Sequence, residues 1–340
     1  MSKKHKGKKH QRARRASLKL GVVALVALIV WGWAGEWYVH HSRAWIDAQP
    51  KCVTTFLGYI GNPLADFTDA LGLTGYDTIC EYDTEAPVGS ILFAGAPVRT
   101  NEPAPSDIQI LDRGEFLIGW SQKLQHPVWC AYHVPSTCQF PNSNRPAFRK
   151  DPSVPASPFP DAYTKSGYDR GHMVPNYAMV TRYGPALQKN TFFMTNIAPQ
   201  TPALNRGVWR EVEHRIANLW SPRYGEIWVV IGCISSTKCP ETISGTKIDV
   251  PQYYYQILIA QEGMDVRALA LLFPQTTSWD EWPARHIVTI REIEQLSGLN
   301  FNPDLPSFIQ DPLEMDLPSR LWPILPLDIF KLLSVRYSDQ

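Results

Sequence analysis

The residues best suited to chemistry in this sequence are found in the string Asp169-Arg170-Gly171-His172. The string predicts a tight turn that carries a cation, a flexible glycine and an imidazole. A histidine can deprotonate water near neutral pH, and an arginine can stabilise the negative charge that builds up on a phosphate under attack. Hydrolysis of a phosphodiester bond needs both. Because four residues recur by chance, and because most single histidines are surface or core residues, the string alone is a weak signal.

A second set of polar residues lies downstream, where apolar residues recur at helical spacing from Leu204 to Trp220. Asn205, Trp209 and Glu213 follow one another at helical spacing, so one helix face would present an amide oxygen and a carboxylate. Mg²⁺ takes oxygen ligands and keeps most of its waters, so one protein ligand and the substrate phosphate can hold it. The alternatives are that Asn205 caps the helix, that Glu213 is a solvated surface residue and that Trp209 belongs to the core.

Three strings in this order resemble the DNA/RNA non-specific endonuclease family: D-R-G-H at 169–172, T-N-x-A-P-Q at 195–200 and L-N-x-G-x-W-x-x-x-E at 204–213. Shorter matches at 127–132, 148–151, 229–232 and 293–301 extend the resemblance from about Phe93 to Phe301. The resemblance implies a ββα-metal fold, in which a two-stranded ribbon and a helix grip one divalent ion. It also implies cleavage of DNA and RNA without sequence specificity.

The same resemblance implies a role for each site residue. His172 would be the general base, Asn205 the direct ligand of Mg²⁺ (or of Mn²⁺ in its place), and Arg170 would stabilise the transition state. Glu213 would hold metal-bound water or orient the site. One departure is Ala217, which stands where some secreted members carry an arginine one helical turn after the glutamate. Further residues expected around the site or the substrate are Asp169, Asn196, Gln200 and one loop arginine, either Arg145 or Arg149.

The elements that position these motifs follow from the hydrophobic pattern. Helices are predicted at Leu204–Trp220 and at His286–Leu296, which Gly298 would stop, and 135–160 reads as a long ordered loop. Strands are predicted at Ile108–Leu111, Phe116–Trp120, Val128–His133, Thr191–Thr195, Ile227–Ile234, Tyr253–Ala260 and Val266–Leu272. We therefore expect an α+β fold whose mostly antiparallel central sheet is flanked by helices. The nuclease domain would span 91–310, after a connector with short helices at 39–90 and before a C-terminal extension at 311–340.

The N-terminal residues predict a membrane segment. A basic stretch, 1–19, precedes the apolar stretch 20–38, whose far end is rich in Trp and Tyr. This arrangement favours a transmembrane signal anchor that leaves the nuclease domain outside the cytoplasm, on the periplasmic or extracellular side. A cleaved signal peptide, which would release a secreted protein, is the alternative.

The charge distribution of the chain limits which partners it can bind. The formal net charge is +1, but residues 1–40 hold nine basic residues and one acid, which leaves 24 basic and 31 acidic residues, a balance of −7. A nucleic acid would therefore need a local basic patch or a metal.

Six cysteines without a C-x-x-C pair favour disulfides over zinc. Proximity in sequence suggests the disulfides Cys130–Cys138 and Cys233–Cys239, which leaves Cys52–Cys80 as the third pair. Six cysteines allow 15 pairings, and free thiols are the alternative.

Two other functions compete with a nuclease. One is a catalytically silent nucleic-acid-binding module at the membrane surface, and the other is a structural membrane-anchored domain. Binding alone requires none of His172, Asn205 and Glu213, so their joint presence favours the enzyme. The expected partners are DNA, RNA and the membrane, with a homodimer left open.

Overall fold

The computed structural model of the chain describes residues 80–81, 90–101, 103–262 and 265–324. The strands in this part of the chain are formed by stretches in which apolar residues alternate or follow one another without interruption. Such stretches are expected in a sheet that is covered on both faces. The strands are β1 (Cys80–Glu81), β2 (Val98–Arg99), β3 (Ile108–Asp112), β4 (Phe116–Ser121), β5 (His126–Val134), β6 (Asp169–His172), β7 (Ile197–Gln200), β8 (Ile227–Ile234), β9 (Tyr253–Glu262), β10 (Asp265–Pro274), β11 (Ile287–Val288) and β12 (Leu299–Asn300).

A large antiparallel sheet forms the centre of the described residues, in the order β1-β10-β9-β8-β5-β4-β3, with β11 paired to β10. Two smaller two-stranded sheets, β12-β2 and β6-β7, lie outside it. Strand β5 is buried along all nine residues. Its side chains alternate between two core clusters: Cys130 and Tyr132 belong to one, and Trp129 and Ala131 to the other. The prediction of a mostly antiparallel central sheet in a mixed fold is confirmed.

Helices cover the sheet. They are α1 (Asn176–Tyr183), α2 (Pro185–Thr191), α3 (Pro202–Leu204), α4 (Arg210–Arg215), α5 (Ser221–Tyr224), α6 (Ile290–Ser297) and α7 (Ser307–Met315). Two π-helical stretches, Asn205–Trp209 and Ile216–Trp220, join α3, α4 and α5 into one run, which we call the site helix (202–224). The site helix is interrupted at Gly207, whose φ of −93° and ψ of −118° are not helical.

The predicted apolar stripe of the site helix faces the sheet. Leu204, Val208, Val212, Ile216 and Leu219 are all buried in the same core cluster as Cys130 and Tyr132 of β5. Each such side chain contributes roughly 1.5–3 kcal/mol relative to an exposed one. Packing therefore fixes which face of this helix is left for polar residues.

Two of the predicted elements were wrong in whole or in part. Thr191–Thr195 is not a strand, because Thr191 ends α2 and Met194–Asn196 form a 3₁₀ turn. The helix predicted from His286 begins only at Ile290, after a capping box in which Thr289 accepts a hydrogen bond from the Glu292 amide (3.0 Å). It ends at Gly298 as predicted, with a φ of 70° that glycine adopts at little cost.

The predicted disulfides Cys130–Cys138 and Cys233–Cys239 were wrong, because all four thiols are free. The physical reason is their placement in the fold. Cys130 and Cys233 are buried in the central sheet, whereas Cys138 and Cys239 are exposed. The remaining pairing, Cys52–Cys80, lies outside the side chains that the structure describes.

The membrane segment 20–38 and the connector helices at Val53–Tyr59 and Pro63–Leu71 lie outside the described residues. Within the described part of the chain, no helix combines the length and hydropathy needed to cross a bilayer.

Candidate active site

The string Asp169–His172 forms strand β6 rather than the predicted tight turn. It pairs antiparallel with β7, so that Asp169 lies opposite Gln200 and His172 opposite Ile197. The turn prediction was wrong because this long-range pairing, invisible in the local sequence, satisfies the backbone of the string. Side chains alternate along a strand. Arg170 and His172 accordingly share one side, where both contact the ring of Phe148, at 5.3 and 5.1 Å.

His172 lies in an aromatic pocket. Its ring centroid lies 5.1 Å from that of Phe148 and 4.8 Å from that of Phe192, and 8% of its surface is exposed. Its Nε2 atom is buried without a hydrogen-bond partner among the described residues. Burial, aided by the charge of Arg145, lowers the pKa of His172 to about 3. The imidazole is therefore neutral at pH 7, which is the protonation state that a general base needs, and it is a weaker base than an exposed histidine.

Asn205 sits inside the first turns of the site helix, where its backbone is helical. The helix cap is Thr201, whose hydroxyl accepts from the Leu204 amide (3.4 Å). The alternative that Asn205 is the cap is therefore wrong. The Asn205 Nδ2 donates instead to Asp169 Oδ2 at 2.9 Å, which joins the site helix to β6. This bond commits the amide nitrogen and leaves the amide oxygen available to a ligand.

Asp169 is held by Arg206, a residue that the sequence analysis did not single out. The guanidinium of Arg206 donates from Nε and Nη2 to the two carboxylate oxygens of Asp169, each at 2.7 Å. Burial alone would raise the pKa of Asp169, but hydrogen bonds from Arg206 and Asn205, with the charges of Arg206 and Arg170, lower it. Asp169 is thus an ionised acceptor that orients the Asn205 amide.

Glu213 lines a cleft of about 370 Å³, together with residues of α1 and of the site helix. Burial raises the pKa of Glu213 to about 8, against the charges of Arg145 and Arg210. Trp209 itself is a core residue, since 1% of its surface is exposed and its ring packs against Tyr254 at 5.7 Å. The interruption at Gly207 means that Asn205 and Glu213 do not share one uninterrupted helical face.

The loop arginines differ in what they contact. Arg145 is exposed, lies 5.7 Å from the Phe192 ring centroid, and lowers the pKa values of both His172 and Glu213. Arg149 stacks on Phe193 at 4.3 Å and donates to the Lys189 carbonyl at 3.1 Å. The structure therefore brings Arg145, rather than Arg149, to the His172–Glu213 pair.

Asn196 holds the backbone that follows His172 in place through side-chain hydrogen bonds. It is fully buried, its Oδ1 accepts from the Val174 amide (2.9 Å), and its Nδ2 donates to the carbonyls of Val174 (3.0 Å) and Thr191 (2.9 Å). All its polar atoms are used, so Asn196 positions the strand and is not available to a ligand.

Gln200 packs against the opposite side of the ribbon. A Cβ at residue 171 would overlap its side chain, which explains the glycine between Arg170 and His172. Gln200 is fully buried, and both of its amide atoms lack a hydrogen-bond partner among the described residues. A buried amide without partners is costly, so these atoms require a polar partner that the described residues do not supply.

The donor set suits a hard divalent cation that retains its waters. The described residues contain no group of three or more His, Cys, Asp and Glu side chains that could hold a metal. They do place one amide oxygen, from Asn205, beside the ionised carboxylate of Asp169, and the amide atoms of Gln200, the residue paired with Asp169, are buried without partners. Mg²⁺ is commonly held by one or two protein oxygens and several waters. These residues fit such an ion.

Comparison with known proteins adds an independent line of evidence. Residues 95–308 match the DNA/RNA non-specific endonuclease family. The chain is 29% identical to mitochondrial nuclease EXOG of Danio rerio over 206 residues, which cover 56% of this chain and 59% of the relative. It is 26% identical to human mitochondrial nuclease EXOG, covering 55% of each chain. The chain therefore spans little more than half the length of these relatives.

Two further matches extend the comparison. A nuclease of Nostoc sp. is 28% identical over 223 residues, which cover 61% of this chain and 78% of the relative. A crystal structure of the EndoG/EndoGI complex matches with a TM-score of 0.54 at 21% identity, covering 59% of this chain and 88% of that one. At this identity the match supports the fold alone.

Proposed function

The chain belongs to the DNA/RNA non-specific endonuclease family, and from this membership and the site geometry we propose that it hydrolyses phosphodiester bonds of DNA and RNA without sequence specificity. The proposed reaction depends on a divalent metal, with Mg²⁺ as the ion and Mn²⁺ as a substitute. His172 is the proposed base and Asn205 the proposed metal ligand.

The observation that carries this proposal is the state of His172. Its imidazole lies between the rings of Phe148 and Phe192, and its Nε2 has no hydrogen-bond partner among the described residues. Such a nitrogen can take the proton of a water that attacks phosphorus, while the bond from phosphorus to the leaving oxygen breaks. A nucleic-acid-binding module does not require such a nitrogen.

The other residues take complementary roles in this proposal. The amide oxygen of Asn205, oriented through Asp169, would hold the ion, which supplies charge stabilisation at the phosphate when bound. Arg170, on the same side of β6 as His172, would stabilise the negative charge of the transition state. Arg145 would neutralise charge from the loop side, and Glu213 would hold water next to the site.

Basic side chains that lie over aromatic rings support nucleic acids as substrates despite the acidic balance of residues 41–340. Cations lie over rings at Arg145–Phe192 (5.7 Å), Arg149–Phe193 (4.3 Å), Lys150–Phe159 (4.3 Å) and Arg170–Phe148 (5.3 Å). Phosphates and base rings are common to every nucleotide, so contacts of this kind bind DNA and RNA without reading sequence.

The test is digestion of plasmid DNA and of RNA by the purified protein with Mg²⁺ or with EDTA, alongside His172→Ala. We expect cleavage of both substrates with Mg²⁺ and none with EDTA. Loss of a general base should slow His172→Ala by about 100- to 10,000-fold while its melting curve still reports a folded protein. A folded His172→Ala that cleaves like the wild type would refute the mechanism. Binding without cleavage by the wild type would support the silent module.

We also propose that the N-terminal residues 1–38 anchor the domain outside the cytoplasm. This part of the proposal rests on the basic and apolar stretches of the sequence alone.

A further inference from the structure

The cleft beside Glu213 has its own set of polar side chains. It has a volume of about 370 Å³ and lies between α1 and the site helix. A volume of this order is within the range of small-molecule sites. The residues that line it are Pro175, Tyr177, Ala178, Arg210, Glu213, His214 and Asn218.

The cleft is close to the proposed base. Pro175, on its wall, follows His172 by three residues, and three residues span at most about 11 Å. The charge of Arg145 acts on both His172 and Glu213, and Glu213 lines the cleft directly. A substrate whose scissile phosphate lies at His172 therefore has its neighbouring nucleotide within reach of the cleft.

The polar side chains of the cleft come from one stripe of the site helix. Arg210, His214 and Asn218 recur every four residues, so they lie on one side of the helix, next to Glu213. Arg210 presents a permanently charged guanidinium and His214 an imidazole, and both suit a phosphate. Tyr177, 37% exposed, faces them from α1, and its hydroxyl donates to Asn218 at 2.9 Å. Its ring is a surface on which a base or a sugar can pack.

The stripe also explains how the helix can contact phosphate although Ala217 follows Glu213 by one turn. Ala217 is buried, and its carbonyl accepts a hydrogen bond from the buried guanidinium of Arg182. That position belongs to the core. Arg210 and His214, both half-buried, lie on another side of the same helix, where they line the cleft.

We propose that this cleft is a subsite for the nucleotide next to the scissile bond, with its phosphate bound by Arg210 and His214 and its base or sugar against Tyr177. The inference rests on the proposed nuclease function and names where the substrate is held.

The kinetic test compares two substrates. One is a single-stranded oligonucleotide of about 12 nucleotides, long enough to fill a binding groove. The other is bis(4-nitrophenyl) phosphate, a diester without nucleotides. The measured quantity is kcat/KM for the oligonucleotide divided by kcat/KM for the small diester, so that any effect of Arg210 on Glu213 cancels. We expect this ratio to fall at least tenfold in Arg210→Gln and in His214→Gln.

The matched control is Arg223→Gln, which removes an exposed positive charge from the far end of the same helix, outside the cleft. Its ratio should stay within twofold of the wild type. Equal ratios in Arg210→Gln, His214→Gln and Arg223→Gln would overturn the subsite. Melting curves verify that each variant is folded, and two separate cleft variants keep the test decisive if one does not fold.

A binding arm works without catalysis. In the His172→Ala background, the affinity for a fluorescently labelled form of the same oligonucleotide is measured at several salt concentrations. Each phosphate contact to a single strand contributes about 0.7 to the slope of log affinity on log salt, so Arg210→Gln should reduce the slope by about that amount. An unchanged slope would contradict the subsite. If the wild type cleaves neither substrate, the proposed function fails, and the binding arm decides the cleft by itself.

Discussion

Replacing Asn205 with alanine separates the proposed metal-ligand role from a structural one. The side chain does not cap its helix, so its structural contribution is the 2.9 Å hydrogen bond from Nδ2 to Asp169. A bond to a charged group contributes about 1.5–3 kcal/mol, and alanine regains roughly 0.5–0.7 kcal/mol of helix propensity. Asp169 keeps both bonds from Arg206. We expect a loss of about 1–2 kcal/mol in the free energy of unfolding, which lowers Tm by about 2–8 °C.

The effect of the same change on cleavage should be much larger. If the amide oxygen holds the ion, its removal takes away several kcal/mol of transition-state stabilisation. Since about 1.4 kcal/mol corresponds to a factor of ten in rate, we expect kcat/KM to fall at least about 100-fold. The assay is plasmid cleavage titrated with Mg²⁺, run below the melting range of the variant.

Thr289→Ala supplies a control of matched stability. Thr289 caps α6, which carries none of the proposed site residues, and loss of a cap costs about 1 kcal/mol. Its Tm should fall to a similar degree while cleavage stays within twofold of the wild type. The reasoning is wrong if Asn205→Ala cleaves within tenfold of Thr289→Ala at the same Mg²⁺ midpoint. The metal ligand would then have to be sought at Glu213 or Asp169.

Three further predictions concern His172, Gly171 and the N-terminal residues 20–38. Burial lowers the pKa of His172 to about 3, so between pH 6.5 and 3 the unfolded chain binds a proton at this imidazole and the folded chain does not. The free energy of unfolding should therefore fall over this range, by at most about 5 kcal/mol. Urea unfolding of His172→Ala should show a shallower fall with pH, and equal slopes in the two proteins would contradict the lowered pKa. Gly171→Ala should cost about 1–3 kcal/mol by overlap with Gln200, and Gln200→Ala should recover most of it in the double variant, whereas additive losses in thermal unfolding would exclude the overlap. If 20–38 is an anchor, the protein should stay with membranes after carbonate washing, and a soluble chain that begins near Gly35 would show cleavage instead.

The central sheet could be predicted because its signal is local. Strands β3, β4, β5, β8, β9 and β10 are apolar or alternating runs bounded by turn residues, and each was expected within a few residues of its bounds. The stripe of the site helix was equally readable, since its five apolar residues all entered the core. Burial on a sheet face demands such patterns, so they report directly on the fold.

The ribbon that carries His172 could not be predicted, because its partner is remote in sequence. Asp169–His172 is short and polar, and only pairing with β7 makes it a strand. Helices α1 and α2 were missed too, although Pro185 at the first position of α2 is a known start signal. Helices of eight and seven residues carry too few turns for a clear period.

The residues around the site divide in the same way. His172, Asn205 and Glu213 were found because motifs mark them. Choosing between Arg145 and Arg149 required the path of the loop 135–160, which tertiary contacts determine. Arg206 and Arg210 were overlooked although their spacing on the site helix was visible, because a charged helix face is usually only solvated.

The charge of the chain illustrates how a global number can mislead about a local partner. Outside residues 1–40 the balance is −7, which argues against a polyanionic substrate. Charges act over about 8–10 Å at physiological salt, so a bound phosphate responds to its neighbours and hardly to the far side of the protein. The neighbours of His172 and Glu213 include Arg145 and, on the cleft side, Arg210. Residues 41–340 can therefore bind a polyanion next to Arg145 and Arg210 in spite of their acidic balance.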